Sequence, residues 1–239
     1  MLTQGFSVLT IIIIAFIVFD FVLDFILSSL NSKTWDLPIP KELEGIYDEE
    51  QYAKARQYHK AKEQLSSITT VFSTLLIIAF LAFKGFALVH TQIETITSSP
   101  VLQALLFFGA FSVVSDIIGL PFELYGIFVI EEKFGFNKMT WKTYIADKLK
   151  GYLLGAIIGG VLLSLFVWFF MLSGSNFWIY AWILFSVFTL FFTMFYTSLI
   201  VPIFNKLNPL EAGSLREKIE AFAKKVSFPL TNIFVIDGS

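Results

Sequence analysis

From Phe6 onward the chain carries apolar side chains at nearly every position for more than twenty residues, and after a polar interval it does so again four more times. The runs are Phe6 to Leu27, Ile68 to Val89, Val101 to Leu120, Tyr152 to Leu172 and Phe177 to Val201. A helix needs roughly 20 apolar residues to cross about 30 Å of hydrocarbon. The pattern therefore predicts an all-α polytopic membrane protein with five transmembrane helices. Residues 1–203 form the membrane domain, with spans at about 6–27, 68–89, 101–120, 152–172 and 177–201, and longer polar segments at 28–67 and 131–151.

The polar intervals have structure of their own. "WDLPIP" (35–40) carries two prolines, which bar a helix there. A helix start follows. Asp48 with Gln51 three residues on has the spacing of a capping box, with Tyr47 and Tyr52 placed as a hydrophobic staple. No breaker interrupts "QYAKARQYHKAKEQL", so one helix of roughly 40 residues, about 60 Å long, is predicted to run from the polar segment into the second span. In the fourth span Gly151, Gly155 and Gly159 recur every four residues, a spacing that suits close approach of a neighbouring helix. Beyond the fifth span the pattern becomes that of a soluble protein. Ser214 and Glu217 read as a capping box, Leu215, Ile219, Phe222 and Val226 share a helix face, Pro229 is placed to end that helix, and "NIFVI" reads as a short strand. A lone helix and strand cannot bury a core, so 204–239 is predicted to be the opening of an α+β soluble domain.

Composition agrees with the hydropathy pattern. Hydrophobic residues make up 56% and charged residues 15%, with a mean hydropathy of +0.75, against about 25% charged in soluble domains. The lipid bilayer is the implied partner; a net charge of −2 argues neither for nucleic acid nor against it, and no nucleic-acid partner is predicted. Of the 17 lysines and arginines, six lie between spans one and two, five between spans three and four, and five after span five. Only Lys84 falls elsewhere. The positive-inside rule then predicts an N-out, C-in topology with those three basic segments in the cytoplasm. "MLTQGFS" lacks the basic region of a cleaved signal peptide, so the first run is read as a span.

Candidate chemistry is sparse. Without cysteine there is no disulfide framework, thiolate zinc site or cysteine nucleophile. A helical zinc site needs two histidines four apart, but His59 and His90 are 31 residues apart. His59 with Glu63 one turn on reads as a solvated pair. Glu131 and Glu132 do not fit the E-E-x-x-x-R spacing of one class of membrane protease, because Phe136 stands at the arginine position. No serine or aspartyl protease signature is present. No catalytic residue and no metal ligand is therefore predicted. Asp20, Asp24 and Asp116 are the intramembrane polar candidates, with Lys84 beside them: either they line a water-filled cavity, or all but Asp116 sit near an interface. A transporter built on Asp116 would predict an inverted repeat, which the sequence lacks.

One stretch is more specific. "SDIIGLPFELYGIFVIEEKFGFNKMTWKTYIADKLK" (115–150) resembles the N-terminal membrane domain of the CAAX prenyl protease 1 family, the Ste24-type zinc metalloproteases of peptidase family M48. "IVPIFNKLNPLEAGSLREKIEAFAKKVSFPLTNIFVIDGS" is similar to the family's continuation, and "YDEEQYAKARQYHKAKEQL" to its cytoplasmic segment before the second span. The resemblance implies a structural corner at the end of span three, carried here by Pro121, Tyr125, Glu131, Glu132, Phe134, Gly135, Phe136 and Asn137. It also implies five helices of a membrane chamber, a hydrolase activity on the C-terminal C-a-a-X tripeptides of prenylated proteins or on related membrane substrates, and zinc in the complete protein. The family's H-E-x-x-H and its further glutamate ligand have no matching position in these 239 residues. The expectation is thus a chain cut short after "DGS", inactive alone, with residues 204–239 the start of the cytoplasmic catalytic domain. The alternative is a non-enzymatic membrane scaffold or pseudoprotease subunit. The resemblance leaves open a bacterial inner membrane or the endoplasmic reticulum membrane.

Overall fold

The computed structural model describes residues 7–33 and 48–236. The expectations for "WDLPIP", for the Tyr47 staple and for "DGS" fall outside those residues. Among the described residues four helical stretches are long and apolar enough to cross a membrane: Val8–Ser32, Glu49–Ala82, Pro100–Phe134 and Trp141–Phe204. The last folds back on itself and so supplies two of the five predicted crossings. Among the described residues only Ile93, Ile130, Phe134, Tyr144 and Ala223 are buried apolar side chains. In a membrane this is sensible, because lipid tails do the work that a hydrophobic core does in water. The chain divides into two compact units, residues 1–137 and 138–239.

In the first unit, α1 (Val8–Ser32) starts at Ser7, whose hydroxyl accepts the Thr10 backbone N–H at 3.1 Å. Helix α2 (Glu49–Ala82) is capped by Asp48 as predicted, but the carboxylate accepts from Glu50 N at 3.3 Å. The long helix has 34 residues and not roughly 40. It stops at Phe83 and Lys84, and α3 (Gly85–Ile96) restarts from Lys84, whose φ of 55° is left-handed. The predicted second span, 68–89, is therefore a broken helix. Propensity gives no warning of this break. The packing around it explains why it holds: Gly85 is buried under the Phe80 ring, which meets Phe86 and Phe111 edge-on at 5.0 and 5.5 Å.

The third crossing overruns its predicted end at Leu120. Helix α4 (Pro100–Tyr125) passes Pro121, continues through a π-helical turn at Gly126–Glu131, and ends in α5 (Glu132–Phe134). Gly135, with φ of 78°, then closes the helix: Phe136 N–H bonds Glu131 O at 2.9 Å and Gly135 N–H bonds Glu132 O at 3.0 Å. This is the Schellman pattern, in which a left-handed residue lets two N–H groups turn back onto orphan carbonyls.

In the second unit, α6 (Trp141–Ser173) is capped by the Thr140 hydroxyl, which accepts from Thr143 N at 3.2 Å. At Gly174–Asn176 a 3₁₀ turn with Gly174 at φ 49° reverses the chain into α7 (Phe177–Phe195). Phe166 lies against both Phe177 and Phe185, at 4.9 and 5.8 Å, so α6 and α7 form a hairpin. A π-helical turn at Tyr196–Ile200 leads into α8 (Val201–Phe204). Among the described residues the glycine face of α6 does not meet the close partner its spacing suggests: a Cβ at Gly151, Gly155 or Gly159 would find no atom of another element within 4 Å.

After α8 come β1 (Leu207–Pro209), α9 (Ser214–Lys225) and β2 (Phe234–Ile236), with β1 and β2 antiparallel and Leu207 opposite Ile236. Strand β1 escapes the sequence pattern because "LNP" combines poor strand formers in three residues. The predicted Ser214 capping box does not form. Gly213 is the N-cap and no side chain caps the helix, which begins one residue early. Nor does Pro229 end it. Ser227 at φ 54° does, in a second Schellman pattern with Phe228 N–H on Ala223 O at 2.9 Å and Ser227 N–H on Lys224 O at 3.2 Å.

Candidate functional site

The stretch singled out by sequence, Phe128 to Asn137, forms the end of the third crossing and docks on α2. Lys62 Nζ donates to Glu131 Oε1 at 3.0 Å across 69 positions of chain. The hydrogen bond to Glu131 raises the Lys62 pKa above its ordinary value, partial burial works against that, and the Glu131 charge adds to it. Tyr58, one turn before Lys62, is held edge-on between two rings of the same stretch, Phe134 at 5.4 Å and Phe136 at 4.8 Å. Lys62 Nζ also lies 5.8 Å from the Tyr58 ring centre. Phe134 is only 5% exposed, so this ring anchors the corner.

The contact continues toward the hydrocarbon. Leu65 reaches 3.4 Å from where a Cβ on Gly126 would be, and Phe72 and Phe122 sit 5.4 Å apart. Tyr58, Lys62, Leu65 and Phe72 fall within one narrow stripe of α2 at 100° per residue. At the buried Gly126 the π-helical turn thus lies within van der Waals reach of α2. Glu132 has a different task from Glu131: its Oε2 accepts Asn137 Nδ2 at 2.9 Å, which closes the turn after Gly135 from outside.

Of the predicted motif residues, Glu131, Glu132, Phe134, Gly135, Phe136 and Asn137 come together in this corner. Pro121 and Tyr125 lie further back on α4 and are exposed. Asp20 and Asp24 are exposed on α1, while Asp116 is half-buried on α4. A cavity of about 610 Å³ between α1 and α2 is lined by Asp24 with Ser66, Ser67 and Thr70, and its lining includes neither Asp20 nor Asp116. The three aspartates are thus not gathered at that cavity. His59 pairs with Glu63 at 3.9 Å as expected, and His90 with Glu94 at 3.4 Å. Among the described residues no three His, Cys, Asp or Glu side chains group as a metal ion would need.

Sequence reasoning missed two participants. Tyr58 and Lys62 enter the sequence pattern only as parts of the unbroken polar helix that runs into the second span, and their spacing to the motif carries no local signal. Helix α4 runs on past Leu120 to Tyr125 and so carries Glu123 beyond the predicted end of the span.

Comparison with known proteins gives a consistent picture. The family model described as CAAX prenyl protease N-terminal, five membrane helices, matches residues 29–206. The chain is 35% identical over 217 residues to CAAX prenyl protease 1 of Saccharomyces cerevisiae, covering 87% of this chain and 48% of that protein. It is 34% identical over 214 residues to the human CAAX prenyl protease 1 homolog, covering 84% and 44%. The crystal structure of S. mikatae Ste24p superposes with a TM-score of 0.87 at 33% identity, over 96% of this chain and 56% of that one. The chain spans about half the length of the curated relatives it matches.

Proposed function

This chain belongs to the CAAX prenyl protease N-terminal family, and from that membership we propose that it is the membrane domain of a Ste24-type zinc metalloendopeptidase. The observation that carries the reading is the likeness to Ste24p over 96% of the chain. In this reading the helices wall part of an intramembrane chamber in which a prenylated C-a-a-X protein, or a related membrane substrate, is held for cleavage. The orientation is N-out and C-in, with 28–67, 131–151 and 204–239 in the cytoplasm. The last of these opens the catalytic domain.

The residues of this chain do not fit a zinc site: the sequence has two histidines, 31 positions apart, and no cysteine. No step of peptide hydrolysis is therefore assigned to any of them. Their part is mechanical. The corner at Glu131 to Asn137 fixes the end of the third crossing to the polar half of α2, and two helices that leave the bilayer in register make a rigid rim beside a cytoplasmic active site. Catalytic groups must be held to within fractions of an ångström, and that demands a rim that does not flex.

The test is cleavage of a farnesylated peptide ending in C-a-a-X by the purified gene product. Release of the tripeptide, abolished by a chelator and restored by zinc, together with an intact peptide when only these 239 residues are supplied, is the expected result. A folded, zinc-free product that leaves the peptide whole would favour a scaffold or pseudoprotease subunit.

A further inference from the structure

Helices α1 and α2 touch where the Ser28 hydroxyl donates to Glu63 at 3.0 Å. The two helices run in opposite directions, so one turn nearer the hydrocarbon Asp24 lies across the cavity of about 610 Å³ from Ser66, Ser67 and Thr70. Other hydroxyls on the membrane helices turn back on their own backbone: Thr69 bonds Leu65 O at 2.8 Å, Thr91 bonds Ala87 O at 2.9 Å and Ser164 bonds Gly160 O at 2.7 Å. Among the described residues Ser66, Ser67 and Thr70 make no such bond, and the Asp24 carboxylate makes no hydrogen bond or ion pair. These four keep their bonding capacity for what enters between the helices, and lipid tails cannot use it.

Hydroxyls both donate and accept, and a carboxylate accepts. A peptide backbone offers N–H and C=O groups in alternation, so it complements such a set whatever its side chains, while Phe21 and Val71 in the same lining give those side chains apolar surface. The length agrees. From Asp24 to Asn31, both in the lining, α1 advances about 10 Å at 1.5 Å per residue, and extended chain covers that distance in about three residues at roughly 3.3 Å each. We propose that this cavity receives about three residues of extended substrate backbone, with a peptide N–H on Asp24 and the hydroxyls of Ser67 and Thr70 on the neighbouring amide groups. The proposal rests on the protease reading and narrows its substrate class to chains read by their backbone at this point. Because the residues of this chain do not fit a zinc site, the part of the substrate held here lies upstream of its C-a-a-X end.

The test uses thiol protection, since these 239 residues contain no cysteine and the parent protein gives the background. Ser67→Cys, and as a control Leu75→Cys on the 63% exposed Leu75 of α2, are purified in nanodiscs and treated with a charged methanethiosulfonate reagent, a chelator keeping added peptide whole. The added probes are a farnesylated C-a-a-X peptide and a copy N-methylated at the backbone amides upstream of the prenylated cysteine. Modification of Ser67→Cys but not of Leu75→Cys, slowed by the first peptide and much less by the second, is the expected result. Thr70→Val, added to Ser67→Cys, should raise the peptide concentration for half protection about two- to tenfold, the worth of one hydrogen bond. Asp24→Asn keeps an acceptor and should raise it less than Asp24→Leu; equal losses would mean that a cation is held there, and overturn the proposal. So would an unreactive Ser67→Cys, or equal protection by the two peptides. A peptide that the chelator-free protein cuts but that leaves Ser67→Cys unprotected overturns this proposal alone, and one that neither is cut nor protects overturns the protease reading with it. If an added substitution prevents folding, the two peptides on Ser67→Cys decide.

Discussion

Two places interrupt the helices of the first unit with a left-handed residue, and the protein treats them in opposite ways. At the corner the residue is Gly135, which adopts φ 78° without strain and is followed by a complete Schellman closure. In the broken second crossing it is Lys84, which adopts φ 55° at a cost of about 1–2 kcal/mol for a residue with a Cβ. The small residue has moved one position on, to Gly85, where packing and not dihedral angle requires it. The corner is thus specified by its own sequence and then fastened to α2. The break is imposed by the rings around it, which compensate for a conformation that Lys84 would not choose.

The strongest way to break this comparison is to remove what fastens the corner. Phe134→Ala deletes a buried ring and its contact with Tyr58, and should destabilise by about 3–5 kcal/mol, read as a fall in the thermal midpoint in detergent. If the corner held by its turn alone, the loss would be far smaller. Next is Gly85→Ala. The new methyl would stand 2.6 Å from the Phe80 ring, and that ring is held by Phe86 and Phe111, so overpacking should cost about 1–3 kcal/mol.

The dihedral contrast is sharpened by a matched pair of substitutions. Gly135→Ala should cost about 1–2 kcal/mol. Lys84→Gly should stabilise, by about 0.5–1 kcal/mol once the extra freedom of glycine in the unfolded chain is deducted. Midpoints moving in opposite directions would confirm that one left-handed site is relaxed and the other strained; a fall for both would show that the Lys84 side chain stabilises the break.

The smallest expected effect is that of the ion pair. Lys62 and Glu131 are 43% and 29% exposed, and a solvent-screened pair of this kind is worth at most about 1 kcal/mol. Glu131→Gln should therefore shift the midpoint only slightly, and the shift should depend on pH. Because Glu131 raises the Lys62 pKa, the pair stabilises below the ordinary lysine value of about 10.4. That contribution is lost as pH rises through the higher folded value. A difference between variant and parent that persists unchanged well above this range would mean that the carboxylate acts through packing.

Much of the site was legible because it is local. The Gly135 turn, the charges around it and the aromatic residues that flank it lie within ten residues, and the turn chemistry of a glycine between two phenylalanines is readable without a fold. The partners of Glu131 were not. Nothing near Lys62 distinguishes it from Lys54 or Lys60 on the same polar helix; it is chosen because α2 and α4 run alongside each other in a register set by Leu65 on Gly126 and Phe72 on Phe122. The overrun of the third crossing past Leu120 was hidden for a related reason. Hydropathy reports where lipid ends, and a helix can continue beyond that point when another helix satisfies its surface.

By itself, the sequence determined the five apolar crossings, the Asp48 start of α2, the glycine-closed end at Gly135 and the amphipathic α9. Each depends on side chains within a turn or two of one another, or on a run long enough to exclude water. Tertiary structure alone decided the break at Lys84, the π-helical turn seated on α2, the pairing of β1 with β2 and the choice of Lys62 for Glu131. The reason is physical: these features carry a local cost or no local preference, and only contacts between segments far apart in the chain return enough free energy to select them.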